Sequence, residues 1–114
     1  AGQRNYNGAV EDLNKAIESG TRPADAPVDA YVFRATAYRL LDKLELALAD
    51  IERALALRPD HPDGLLERGI LRRLRDNDDG ARQDWLNIIR QAPEGLTADI
   101  ARRHLESMDV KPGP

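Results

Sequence analysis

His61 and His104 are the two histidines of this 114-residue sequence, and with its Asp and Glu side chains they are the groups that could move protons or hold a metal. His61 stands between Asp60 and Pro62 at a helix start, and His104 lies in a polar helical stretch, so both are expected on surfaces or turns. No histidine pair has metal-ligand spacing, and no Gly-rich phosphate loop follows a strand pattern. Ser19 and Ser107 have no nucleophile context. The absence of cysteine excludes a disulfide framework, a thiolate zinc site and a cysteine nucleophile. The expectation is a protein without catalytic residues, cofactor or metal, and therefore not an enzyme.

The remaining charge-bearing patterns are arginines. Arg68, Arg72, Arg73 and Arg75 cluster, but on a helix they spread over more than one face, and Asp76, Asp78 and Asp79 follow at once. No aromatic residues interleave with them to stack bases, and the net charge is −3. The cluster is read as a solvated helix end, with an acidic protein partner as the alternative and nucleic acid excluded. Arg34/Asp50 and Arg68/Asp84 repeat one spacing, and Asp12 extends the Asp series. No apolar run approaches membrane-spanning length. A cytoplasmic setting is preferred to a periplasmic one. High Ala and Arg content with few lysines points to a bacterial, GC-rich source.

The repetition of those pairs reflects a longer pattern. Residues 28–61 return as residues 62–95, with eight identities at an offset of 34, among them Asp29/Asp63, Arg34/Arg68, Asp42/Asp76, Ala47/Ala81, Asp50/Asp84 and Pro59/Pro93. A fixed period of this size, with two amphipathic helical patterns in each, marks a stacked helical repeat array. The unit resembles the tetratricopeptide (TPR) repeat, through large apolar Tyr31 and Leu65, small Ala35 and Gly69, small Ala47 and Ala81, large Ile51 and Trp85, and closing Pro59 and Pro93. Two positions depart from it: Arg72 stands where the earlier unit has Tyr38, and Ile88 where it has Ala54. The resemblance implies an all-α, right-handed helix–turn–helix solenoid of about six helices. It also implies that Arg34 and Asp50, and Arg68 and Asp84, pair across helices.

In chain order, residues 1–109 are expected as a single domain. Residues 1–19 match the second helix of a unit whose first helix is missing, with Ala9, Asp12, Leu13, Ala16 and Ile17 equivalent to Ala47, Asp50, Ile51, Ala54 and Leu55. The sequence is therefore expected to be a piece of a longer chain. Residues 19–27 read as a loop, with Gly20 ending a helix and Pro27 starting the next. The unit 28–61 begins with a helix over 28–41, and Asp42, with Glu45, is expected to cap the second. The unit 62–95 follows, its first helix over 63–75 and Asp76 to Gly80 forming turn and cap. Trp85 is expected as a core anchor. A capping helix over 97–108, with Thr97 as its N-cap, and a flexible tail over 110–114 complete the chain.

By the resemblance, function is protein–protein interaction. A concave groove built from the first helix of each unit would be lined by Val32, Phe33, Thr36 and Arg39, then Leu66, Ile70 and Arg73, with Asp29, Asp63 and Glu67 beside them. Its apolar residues and terminal arginines fit an extended or helical peptide with apolar anchors and an acidic neighbour. Some TPR domains hold a chaperone's C-terminal carboxylate with a lysine and asparagine clamp. Here Val32, Phe33, Thr36, Asp63 and Glu67 fill those places, and the two acids are expected to repel such a tail. Internal packing against further repeats competes with the groove reading. The alternative function is a spacer or homodimerising segment that pairs through Ala9, Leu13 and Ile17; a regulatory domain of an enzyme is a third.

Overall fold

Apolar residues at helical spacing become six helices in the computed structural model, which describes residues 2–19 and 28–109. They are α1 (Gly2–Ser19), α2 (Val28–Leu40), α3 (Leu44–Leu57), α4 (Pro62–Leu74), α5 (Asp78–Gln91) and α6 (Leu96–Asp109). No strand occurs among the described residues, and the fold is an all-α helical repeat. The connection over 20–27, with Gly20 and Pro27, the tail over 110–114, and the Ala16 side chain lie outside the described residues.

Each helix packs on its neighbours in sequence, α2 also meets α4, and α4 meets α6. This pattern makes two layers. The helices α2, α4 and α6 share one continuous face, and α1, α3 and α5 back it. The core between the layers is built on close approach: Ala35, Ala47, Ala54, Ala81 and Ala101 are wholly buried beside Ile51 and Trp85. Small and large residues compensate between the two units. Where α2 and α3 oppose Ala35 and Ile51, α4 and α5 carry Gly69 and Trp85, and a Cβ on Gly69 would stand 2.2 Å from the Trp85 Nε1. The larger indole therefore requires the missing methyl.

The turns between paired helices differ from the sequence expectation in one respect. Asp42 does not cap α3; it stops α2. It adopts a left-handed φ of 62°, its N–H donates to the Arg39 carbonyl, and the Lys43 N–H donates to the Tyr38 carbonyl at 2.8 Å. Asp76 repeats this with φ 63° and a 2.8 Å bond from the Asn77 N–H to the Arg72 carbonyl. This double hydrogen bond is the Schellman stop, usually made by glycine. Asp is among the few other residues that tolerate the left-handed region. Lys43 occupies the N-cap of α3 without a side-chain bond, whereas the Asn77 side chain caps α5 by accepting from the Gly80 N–H. Thr97 likewise does not cap α6, which starts one residue earlier at Leu96; its hydroxyl meets Asp63 on α4 instead.

Candidate functional site

Two sets of charged and apolar residues stand out once the helices are stacked. One is a ladder between the layers. The Arg34 guanidinium donates through Nε and Nη2 to both Asp50 oxygens at 2.7 and 2.6 Å, and through Nη1 to Asn14 of α1. Arg68 repeats the fork on Asp84 at 3.0 and 2.9 Å, and its Nη1 reaches Glu52 of α3 at 3.4 Å. Each arginine of a first helix thus holds the aspartate of its own second helix and a residue of the preceding one. Hydrogen bonding to the buried aspartates raises both arginine pKa values, against the opposing effect of burial. The Tyr31 and Tyr38 rings lie 5.7 and 5.8 Å from the Arg34 guanidinium carbon.

The second set lies on the face shared by α2, α4 and α6. Of the residues expected to line a groove there, Phe33 is exposed, and Ile70, Leu66 and Arg73 are half-buried. Val32 requires correction: it is 4% exposed and belongs to the core. Thr36 and Arg39 are present but committed. The Thr36 hydroxyl donates to Glu67 at 2.7 Å, and Arg39 donates to both Glu67 oxygens. Glu67 is therefore buried and neutralised rather than offering the groove a repelling charge, a second correction. Arg73 donates to the Ser107 hydroxyl at 2.6 Å and keeps its charge.

Residues not anticipated in the sequence complete this face. Leu40 and Leu74 are 45% and 54% exposed at equivalent positions of the two units. An open cleft of about 490 Å³ is lined by Ile70, Arg73, Leu74, Asp76, Trp85 and His104. Trp85 is wholly buried, donates its Nε1–H to the Leu66 carbonyl, and stacks on His104 with ring centroids 4.8 Å apart. Burial lowers the His104 pKa, and the Arg73 and Arg39 charges lower it further. The identity of Leu40 and Leu74 at the repeat offset was the signal for them. The approach of His104 depended on the seating of α6, which the repeat pattern does not specify.

His61 is buried rather than on the surface. Its Nδ1 accepts from the Gly64 N–H at 3.0 Å as the N-cap of α4, so its Nε2–H donates to Asp29 at 2.8 Å. Both ring nitrogens are used in structure. Among the described residues no group of three or more His, Cys, Asp or Glu could hold a metal ion, and no helix is long and apolar enough to cross a membrane.

Comparison with known proteins places these features. The tetratricopeptide repeat family model matches residues 28–61. Tetratricopeptide repeat protein 36 of Bos taurus is 40% identical over 101 residues, covering 85% of this chain and 49% of the relative. The chain thus spans about half the length of the curated relative it matches. Among solved structures, the Arabidopsis OM64 TPR domain superposes with a TM-score of 0.74 at 24% identity, over 92% of this chain and 84% of that one. The first TPR of Spaghetti (RPAP3), bound to the HSP90 peptide SRMEEVD, superposes with a TM-score of 0.59 at 21% identity, over 95% and 96%. At these identities the likeness is one of fold.

Proposed function

The chain belongs to the tetratricopeptide repeat family, whose domains are protein–protein interaction modules, and from that premise we propose that it holds a partner peptide on the face shared by α2, α4 and α6 without chemistry of its own. The observation that carries this reading is the exposure of Phe33, Leu40 and Leu74 on that face, beside the cleft of Ile70, Arg73 and His104. Exposed large apolar side chains next to a cleft offer anchor sites, and Arg73, which bonds the Ser107 hydroxyl and makes no ion pair among the described residues, suits an acidic neighbour in the ligand. The ladder arginines Arg34 and Arg68, with Asp50, Asp84, Ala47, Ala81 and Trp85, hold the scaffold.

The test is a peptide-display selection on the wild-type chain beside a Phe33→Glu/Leu74→Glu variant, both positions being exposed so that the fold is kept. Peptides with apolar anchors should enrich on the wild type and not on the variant. No enrichment on either would overturn the groove reading. The SRMEEVD peptide should bind weakly, because Val32, Phe33, Thr36, Asp63 and Glu67 stand where a lysine and asparagine clamp would be, and Arg39 is taken by Glu67. Micromolar binding of that peptide would refute this. A second reading, self-association through α1, draws support from Ala9, Val10, Leu13 and Ile17, which remain half-exposed while α2 to α5 each bury several side chains. A dimer weakened by Leu13→Lys in sedimentation experiments would favour it, and a monomer at all concentrations would exclude it.

A further inference from the structure

A second cavity, of about 510 Å³, opens between α4 and α5 on the side of α4 away from Ile70. It is lined by Arg68, Arg72, Gln83, Asp84, Asn87 and Arg90. The equivalent positions in the preceding unit are Arg34, Tyr38, Ala49, Asp50, Arg53 and Ala56. The difference changes the chemistry of the seam. The tyrosine beside the ladder arginine is replaced by Arg72, two alanines by Gln83 and Arg90, and Arg53, which reaches Asp50 at 3.4 Å, by Asn87, so the seam gains one guanidinium.

Donors are left over around the buried carboxylate. Asp84 accepts both bonds of the Arg68 fork, and its Oδ2 also accepts from Arg72 Nη1 at 3.2 Å. Arg72 Nη1 further meets the Gly80 carbonyl at 3.4 Å, and its other N–H groups have no partner among the described residues. Glu52, 58% exposed on α3, reaches Arg68 and no other cation among the described residues. The Asn87 carbonyl oxygen accepts from Gln91, leaving its amide donors. Among the described residues, Gln83 and Arg90 have no side-chain partner. Within the cavity three guanidiniums face one carboxylate, and donors remain on both walls.

We propose that this cavity binds a phosphate monoester, presented by a phosphorylated serine or threonine of a partner protein. A planar carboxylate is satisfied by one guanidinium fork, as Asp84 is by Arg68. Uncommitted donors on two separate helices instead suit the several oxygens of a tetrahedral anion, and a dianion offsets the unpaired arginine charge. The polar lining disfavours an apolar ligand. The site is distinct from the face that carries Phe33 and Leu74, so its test does not depend on the peptide experiment.

The test is an NMR titration of the full chain at constant ionic strength with inorganic phosphate, O-phosphoserine and acetate, following the side-chain signals of Arg72, Asn87 and Arg90. Phosphate and phosphoserine should give saturable shifts there and none at Ile70. Affinity should fall at least about tenfold, about 1.4 kcal/mol, in an Arg72→Tyr/Arg90→Ala variant, which installs the residues of the preceding unit. Arg90→Ala alone, at an exposed position that leaves the fold intact, should weaken binding in the same direction. Shifts that do not saturate, an affinity unchanged in both variants, or acetate binding as tightly as phosphate would each overturn the proposal.

Discussion

Asp50 and Asp84 are 1% and 3% exposed, so each depends on the cations around it. Removing one partner of a buried ion pair leaves a desolvated charge and costs about 3–5 kcal/mol. The two sites differ in what would remain. Without Arg34, Asp50 would keep only Arg53, at 3.4 Å and 59% exposed, whereas without Arg68, Asp84 would keep Arg72 at 3.2 Å and 28% exposed. Arg34→Met should therefore destabilise the chain by about 3 kcal/mol or more, and Arg68→Met by less. Urea denaturation of the two variants decides this, and a larger loss for Arg68→Met would contradict the ladder as described. The recurrence of these Arg and Asp residues was legible because both the residue types and their spacing repeat. The burial of Val32 was not, because a one-residue difference in helical phase separates the core from the groove, where its neighbour Phe33 is exposed. Nor was the burial of Glu67, which takes its partners from α2, 28 and 31 residues away in sequence.

At the scale of the helices, Asp42 and Asp76 show how one residue type can serve either of two roles. An aspartate between two helical patterns can cap the helix that follows or end the one that precedes it, and sequence order does not distinguish them. The positive φ of both residues assigns the second role. Asp42→Gly should then be neutral or stabilising by up to about 1 kcal/mol, since glycine takes the left-handed region without the steric cost of a Cβ. Loss of an N-cap at the same site would instead lower stability. Thermal melts of Asp42→Gly beside Asn77→Ala, which removes a true cap and should cost about 1 kcal/mol, separate the two roles. The helix α6 makes a different kind of contact, with His104 against the buried Trp85. The His104 pKa is lowered from 6.5 by burial and by Arg73 and Arg39, with Glu67 opposing. The unfolded chain then binds the proton more readily, so this contribution to stability is complete above about pH 6.5 and is lost as the pH falls from there through the lower pKa of the folded state. His104→Phe keeps the ring contact without the titration, and its melting temperature should fall less than that of the wild type between about pH 7.5 and about pH 5.5. An equal fall in both would exclude His104 as the source.

The molecule as a whole is elongated, 50 × 33 × 21 Å, because helices stack along one direction and contact chiefly their neighbours. That architecture was the most legible feature of the sequence, since a period of 34 with helical apolar spacing leaves few other ways to bury the stripes. What the period does not encode is how neighbours from different units meet, which is why the cleft around His104 and the polar cavity at Arg72 emerged only with the helices in place. Stability in such an array is roughly the sum of local and nearest-neighbour terms. It should therefore vary along the chain. The helices α4 and α5 lie between packed neighbours and contain Leu65, Leu71, Trp85 and Ile88, each 2% exposed or less. In contrast, α1 packs chiefly on α2 and has no fully buried residue among its described side chains. Native-state hydrogen exchange should show α4 and α5 amides opening only with global unfolding, and α1 amides opening at a free energy lower by several kcal/mol. Leu13→Ala should then accelerate exchange in α1 while leaving α4 and α5 amides nearly unchanged. If the same substitution accelerated exchange equally in every helix, the array would be unfolding as one cooperative unit, and the nearest-neighbour description would be wrong for this chain.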